Sequence, residues 1–169
     1  MKKPKNKNTK LYQLWEIRKL NKDCLKLLKE IITLKAGGKC EVCGTTKMVQ
    51  AHHVEDSRLF PALRYDPMNG IAACPTNHKL GKHSFHRSFI FSYEFMKDRV
   101  LIVVYLREHR DDIIPPLSPT KSSEYPAAKE YLLKQIEKLK AFKKKLMEKP
   151  FNNDEKKFIP QFQDSTGDG

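Results

Sequence analysis

The 47 residues from Cys40 to His86 hold three of the chain's four cysteines and five of its six histidines. Cys40-Glu-Val-Cys43-Gly44 is a tight knuckle: two thiolates two residues apart can turn onto one tetrahedral ion, and the glycine eases the turn. Cys74 follows after a gap of 30 residues and supplies a third thiolate. A closed structural zinc site takes a fourth ligand, usually three positions on. That position is Asn77, a poor zinc ligand. Three outcomes stay open: His78 completes the site, a water or distant residue does, or the cysteines pack as small apolar groups. A redox reading of the pair is weaker, because no βαβ pattern surrounds it. Cys24 lies on an apolar helical stripe and reads as core.

The histidines suggest a second kind of chemistry. Ala51-His52-His53-Val54 ends an apolar-leaning segment, and neighbouring side chains of a strand point to opposite faces. One imidazole can then hold a metal while the other faces a different partner. Asn69-Gly70, a turn dipeptide, comes 16 residues after His53, and His78 comes nine after Asn69, behind a helix start at Pro75. The expected local order is strand, loop, strand, helix.

The motifs Cys40-Glu-Val-Cys43, Ala51-His52-His53-Val54, Leu63-Arg64-Tyr65-Asp66, Asn69-Gly70-Ile71 and Cys74-Pro-Thr-Asn77-His78 together resemble the HNH endonucleases. These belong to the ββα-metal, or His-Me finger, nucleases, and the closest flavour is the small HNH proteins of bacteriophages and mobile elements. The resemblance covers Cys40 to His86 and leaves the flanks unexplained. It implies His52 as the first metal ligand, His53 as general base, and Asn69 as the residue that braces the loop and orients that base. It implies His78 as a second ligand on the helix. A third ligand is expected further along, His86 by the phrase Ser84-Phe85-His86, with His83 as the alternative. Family members with zinc knuckles read CxxC twice, so Asn77 is a departure that bears on structural zinc and not on the catalytic set. Recruitment of His78 to that zinc would cost the catalytic metal a ligand.

The chemistry accounts for these residue types. Attack on a phosphodiester builds negative charge at phosphorus, which a divalent ion (Mg²⁺, Mn²⁺, Ni²⁺ or Zn²⁺) with open positions can stabilise. An imidazole with an ordinary pKa near ~6.5 can take a proton from water at neutral pH, provided an acceptor holds its other ring nitrogen. The side-chain oxygen of Asn69 or a backbone carbonyl would serve. Arg58, Arg64 and Arg87 are candidates to neutralise neighbouring phosphates. The implied activity is metal-dependent hydrolysis of double-stranded DNA, leaving 5′-phosphate and 3′-hydroxyl ends. A duplex break takes two active sites or two successive nicks, so the oligomeric state stays open, with a homodimer one arrangement. The main alternative is a non-catalytic zinc-binding module that binds nucleic acid. A short coiled coil through the C-terminal helix is a third reading, weakened by a stripe of under three heptads that Lys143 breaks.

Positioning these groups falls to the flanking elements. Leu11 to Lys35 reads as a helix, with Leu20, Cys24, Leu27, Leu28, Ile31 and Leu34 at helical spacing and Gly37-Gly38 past its end. Phe85 to Asp98 also reads as helical. Val100 to Leu106, continuously β-branched and aromatic, reads as a buried strand. Ile113 to Pro126 reads as a linker. Ala127 to Lys149 is a second long helix, apolar on one side (Leu132, Ile136, Leu139, Leu146) and basic on the other (Lys134, Lys138, Lys144, Lys145). Met1 to Lys10 is expected to order only on a partner. Pro150 to Gly169 has no periodicity, though Phe151, Phe158, Ile159 and Phe162 could anchor it. The expected fold class is α+β: a small ββα-metal finger with a zinc knuckle, flanked by long basic α-helices. The divisions are 1–39, a basic tail and helix; 40–98, the nuclease core; 99–126, a strand and proline-rich linker; and 127–169, a basic helix and tail.

Composition bounds the partners. Of 169 residues, 31% are charged and the formal net charge is +13, which fits a polyanionic partner, nucleic acid first and an anionic membrane surface second. Residues 1–39 alone carry 12 Lys or Arg against three acids. The longest apolar run, Val100 to Leu106, falls far short of the ~20 residues a spanning helix needs. The N-terminus lacks the apolar stretch of a secretory signal. The expected location is therefore intracellular, where thiols stay reduced.

Overall fold

A computed structural model describes residues 3–7, 9–97 and 99–148 of the chain. The fold is α+β. Helix α1 (Lys10–Lys35) leads into the cysteine knuckle. Strand β1 (Gln50–His53) and strand β2 (Gly70–Ala73) form a two-stranded antiparallel sheet. Helices α2 (Phe89–Lys97), α3 (Val100–His109) and α4 (Tyr125–Glu148) complete the order. The residues from Pro150 onward, with their four apolar anchors, lie outside the described part.

Helix α1 forms where the apolar spacing predicts. The Thr9 hydroxyl caps it by accepting from Tyr12 N (3.2 Å). Gly37 and Gly38, both at positive φ (60° and 72°), close it with bonds from their N–H groups to Leu34 O and Thr33 O. Its buried stripe of Ile17, Leu20, Cys24, Leu28, Ile31 and Ile32 packs on Tyr125, Ala128, Leu132 and Leu139 of α4. Each fully buried aliphatic chain contributes about 2 kcal/mol. Cys24 is part of this core: its thiol reaches Leu132 O (3.5 Å), and burial pushes its pKa up to about 11.

Helices α1 and α4 run in the same direction, since Glu16 pairs with Lys129 near their starts and Glu30 with Lys143 further on. Parallel neighbours need a long return of chain, and that return carries the sheet and both metal-ligand clusters. The exposed side of α4 displays Lys134, Lys138, Lys144 and Lys145, as the sequence predicts.

The sheet pairs Gln50 with Ala73, Ala51 with Ala72, His52 with Ile71 and His53 with Gly70. Ala51 and Ala72 join the core against α1. Gly70 lies on that same face, where a Cβ would meet Ile32 Cδ1 at 2.1 Å. Lys35 ties the end of α1 to this region by donating to Pro67 O (2.9 Å) and Gly70 O (3.0 Å).

One expected element is overturned. Val100–His109 is a helix, not a strand. Ile102, Tyr105 and Leu106 recur at helical spacing and pack on a second core of Leu63 and Met68. The partner there is a pair of 3₁₀ turns (Pro61–Tyr65 and Pro67–Asn69), which offers side chains rather than an open sheet edge. β-propensity is a preference for a pleated surface, and no such surface is available to this segment. The helix expected over 85–98 begins at Phe89, after a turn in which Arg87 N and Ser88 N bond Ser84 O. Helix α4 starts two residues earlier than expected, with Pro126 in its first turn, where a missing N–H costs nothing. Among the described residues no helix is long and apolar enough to cross a membrane.

Candidate metal centres and the cavity beside them

The two adjacent histidines of β1 take opposite sides of the sheet, as alternation requires. His52 projects toward the chain that follows β2, a single π-helical turn at Thr76–Leu80 and the loop after it. There it meets His78 and His86, each with its ring centroid 4.9 Å away, and Phe85 stacks on its ring at 4.9 Å and 18°. His52, His78 and His86 each offer a ring nitrogen, and these atoms lie within 4.8 Å of one another. His86 rather than His83 is therefore the third member.

These residues fit a divalent ion. Nε2 of His78 and Nε2 of His86 are 3.2 Å apart. Two nitrogens sharing an ion at ~2.1 Å would sit roughly 3.0–3.4 Å apart. The Nδ1–H of His78 is held by Gln50 Oε1 (2.9 Å), which fixes the tautomer and leaves Nε2 as the donor atom. Burial, reinforced by the neighbouring imidazoles, pushes the His52 pKa down to about 3 and that of His78 down to about 4. Both rings are neutral at pH 7, as metal ligation demands. Gln50 was not singled out in the sequence, yet it sits two residues before His52 and hence on the same strand face.

His53 stands outside that cluster. Its Nε2 lies 3.0 Å from Arg64 O. A carbonyl only accepts, so Nε2 carries the proton and Nδ1 keeps its lone pair. Burial lowers the pKa of His53, partly offset by that carbonyl bond. Of the two expected holders of this ring, the backbone carbonyl is the one in place.

Asn69 acts at one remove. It is fully buried; its Oδ1 accepts from Glu55 N (2.7 Å), and its Nδ2 donates to Glu55 O and Leu63 O (both 3.1 Å). It clamps the loop from Glu55 to Leu63, and Leu63 is the neighbour of Arg64, whose carbonyl holds His53. It braces the loop as expected and has no hydrogen bond to His53 itself.

A cavity of about 630 Å³ opens between these groups, lined by His52, His53, His78 and His86 together with Arg58 and Arg64. The three candidate arginines differ. Arg58 is committed to both carboxylate oxygens of Asp56, whose pKa it draws down to about 2. Arg87 lies over Leu80 O (3.4 Å). Arg64 lines the cavity, and its buried Nε has no partner.

Cys40, Cys43 and Cys74 form the second group, again within 4.8 Å of one another. Cys40 and Cys43 are brought together by a turn in which Gly44, at φ 72°, donates to Cys40 O and Cys40 N donates to Thr45 O. Cys74 arrives from the end of β2. The Cys43 and Cys74 sulfurs are 3.8 Å apart, the spacing of about 3.8 Å that a tetrahedron with ~2.3 Å zinc–sulfur bonds requires. Three convergent thiols are a donor set suited to zinc. Burial pushes the Cys40 thiol up, but N–H groups from Asn77 and from the backbone of Cys43, Cys74 and Val42 outweigh it and bring its pKa down to about 6.

The fourth corner belongs to Asn77, whose Nδ2 lies 3.4 Å from both Cys40 Sγ and Cys74 Sγ. His78, the alternative, is turned away toward Gln50 and His86. The two groups are therefore separate and do not compete for it. Comparison of the chain with protein-family models, curated proteins and solved structures gave no match.

Proposed function

We propose that this chain is a metal-dependent endonuclease of the HNH type, acting on double-stranded DNA. One observation carries the reading: adjacent histidines of a single strand divide their work. His52 joins a three-imidazole group with His78 and His86, while His53, its Nε2 held by Arg64 O, also lines the cavity. Strand, loop and strand follow one another in the expected order, the helix expected from Pro75 is reduced to a single π-helical turn (Thr76–Leu80), and the net charge of +13 suits a polyanionic substrate.

His52, His78 and His86 would hold the divalent ion, which would supply positive charge against the negative charge that attack on a phosphodiester builds. His53 Nδ1 accepts the proton of the attacking water, and the Arg64 carbonyl steadies the imidazolium that results. Arg64, whose guanidinium lies over the Tyr65 ring at 5.9 Å and carries no carboxylate partner among the described residues, is the lining arginine best placed to meet a phosphate oxygen, whereas Arg58 would first have to leave Asp56. Helices α1 and α4 bring lysines to the flanks, where they bind backbone without reading bases.

The test is nicking of supercoiled plasmid in Mg²⁺, Mn²⁺, Ni²⁺ or Zn²⁺, beside His53→Ala. Loss of a general base lowers the rate by about 10²–10⁴-fold. Nicking that survives the substitution removes His53 from its role. One observation favours a second reading, a zinc-binding nucleic-acid module: the three cysteines converge without drawing on any of the histidines. Intact DNA binding with no nicking in any of the four metals selects it.

A further inference from the structure

Helices α2 and α3 are the most apolar in the fold and the least buried. No residue of α2 is fully buried, and on α3 only Leu106 is. The inner side of α2 has a use: Ser92 and Met96 line the histidine cavity. The outer sides do not. Phe89, Ile90 and Tyr93 on α2, and Val100, Leu101 and Val104 on α3, are between 45% and 84% exposed. Each trio falls at i, i+1, i+4, so each helix presents one apolar face. Phe89 and Tyr93 stack on each other at 6.4 Å. Six such side chains expose on the order of 500 Å², more than scattered surface residues do and a large part of the ~800 Å² each partner gives a stable interface.

Charge identifies the occupant. The chain as a whole carries +13, but residues 88–108 hold three cations (Lys97, Arg99, Arg107) and three anions (Glu94, Asp98, Glu108). A nucleic-acid contact would call for excess positive charge, and this region has none. Two copies of a strongly cationic chain repel over most of their surfaces, and an electroneutral apolar face is where that repulsion is least. Glu94 and Lys97, one helical turn apart and ion-paired on α2, give a rim that is complementary to itself under two-fold rotation.

We infer that the outer face of α2 and α3 is a self-association surface, covered in solution by the same face of a second copy of this chain. Pairing there backs the cavity wall formed by Ser92 and Met96 and leaves both histidine cavities open. The inference stands on this surface alone and survives or fails independently of nuclease activity.

Sedimentation of the full chain from about 1 to about 100 µM tests it. The weight-average mass is expected to rise toward that of a dimer. Added salt should strengthen the association, because it screens repulsion between cationic copies, whereas it weakens nucleic-acid binding. Phe89→Glu combined with Val104→Glu, both at exposed positions, should raise the dissociation constant at least about tenfold with the circular dichroism unchanged. A wild-type chain that stays monomeric throughout overturns the inference. So does a double variant that pairs as well as the wild type. If the variant loses helix content, Ile90→Lys alone replaces it, with the same two outcomes.

Discussion

The cysteine and histidine groups sit at opposite ends of one short segment, and they are built differently. Cys74 and His78 are joined directly, since His78 N donates to Cys74 O at 2.8 Å. The cysteine group draws two of its three sulfurs from one local turn and closes its fourth corner with an amide that can only donate to sulfur in this orientation. The histidine group draws its imidazoles from a strand, a π-helical turn and the loop beyond. Its orienting groups are Gln50 from the strand and Phe85 from the loop. One gathers the chain around β2, with Cys40 and Cys74 buried and Cys43 exposed. The other opens on a cavity that His53 also lines. The difference teaches that two candidate metal-binding groups in one short segment can differ in access and in orienting contacts as much as in ligand type.

The sharpest way to break this comparison is to disturb one group and watch the other. Gln50→Leu removes the acceptor that fixes His78. We expect metal affinity at the histidine group to fall about 10–100-fold, with nicking lost at limiting metal and zinc at the cysteines unchanged. Gln50→Glu should restore binding, and titration calorimetry with the cysteine site already loaded reads both. Equal loss at the two sites would mean that they form one unit. Gly70→Ala acts on the ground the two groups share. Its methyl group meets Ile32 on α1, and overpacking of this kind costs about 1–3 kcal/mol. Urea denaturation should show that loss, and unchanged stability would mean that the contact between α1 and the sheet is slack. Asn77→Cys is the gentlest change and the only one expected to strengthen binding. A fourth thiolate should let the protein keep zinc against a chelator that strips the native chain, with the nicking rate unaltered. A fall in nicking would show that the cysteine group governs the histidines through the Cys74–His78 link.

Much of this arrangement was legible beforehand. The bounds of α1 follow to within a residue from apolar spacing and two glycines, and the structure adds the Thr9 cap. The opposite facing of His52 and His53 follows from strand alternation. His86 was preferred over His83 on a motif resemblance rather than on geometry, and it is the one that joins the cluster. Gln50 carried a readable signal as well, the period of two that puts it on the face of His52. The strand expected at 100–106 failed because its β-branched composition measures a preference for a sheet, and the neighbour it met was a pair of 3₁₀ turns. The role of Asn69 was legible only in outline: its burial and its three side-chain bonds tie a loop, and the carbonyl that holds His53 comes from Arg64.

By itself, the sequence determined which residues can bind metal or move a proton, and the elements that carry most of them. Donor chemistry and side-chain periodicity are local properties of residue type and spacing. Only the tertiary structure decided that there are two groups, that His78 belongs with the histidines, that Asn77 covers the cysteines and that Arg64 lines the histidine cavity while Arg58 is held by Asp56. Those outcomes depend on distances between segments far apart along the chain, which are set by how α1, α4 and the sheet pack around a common core.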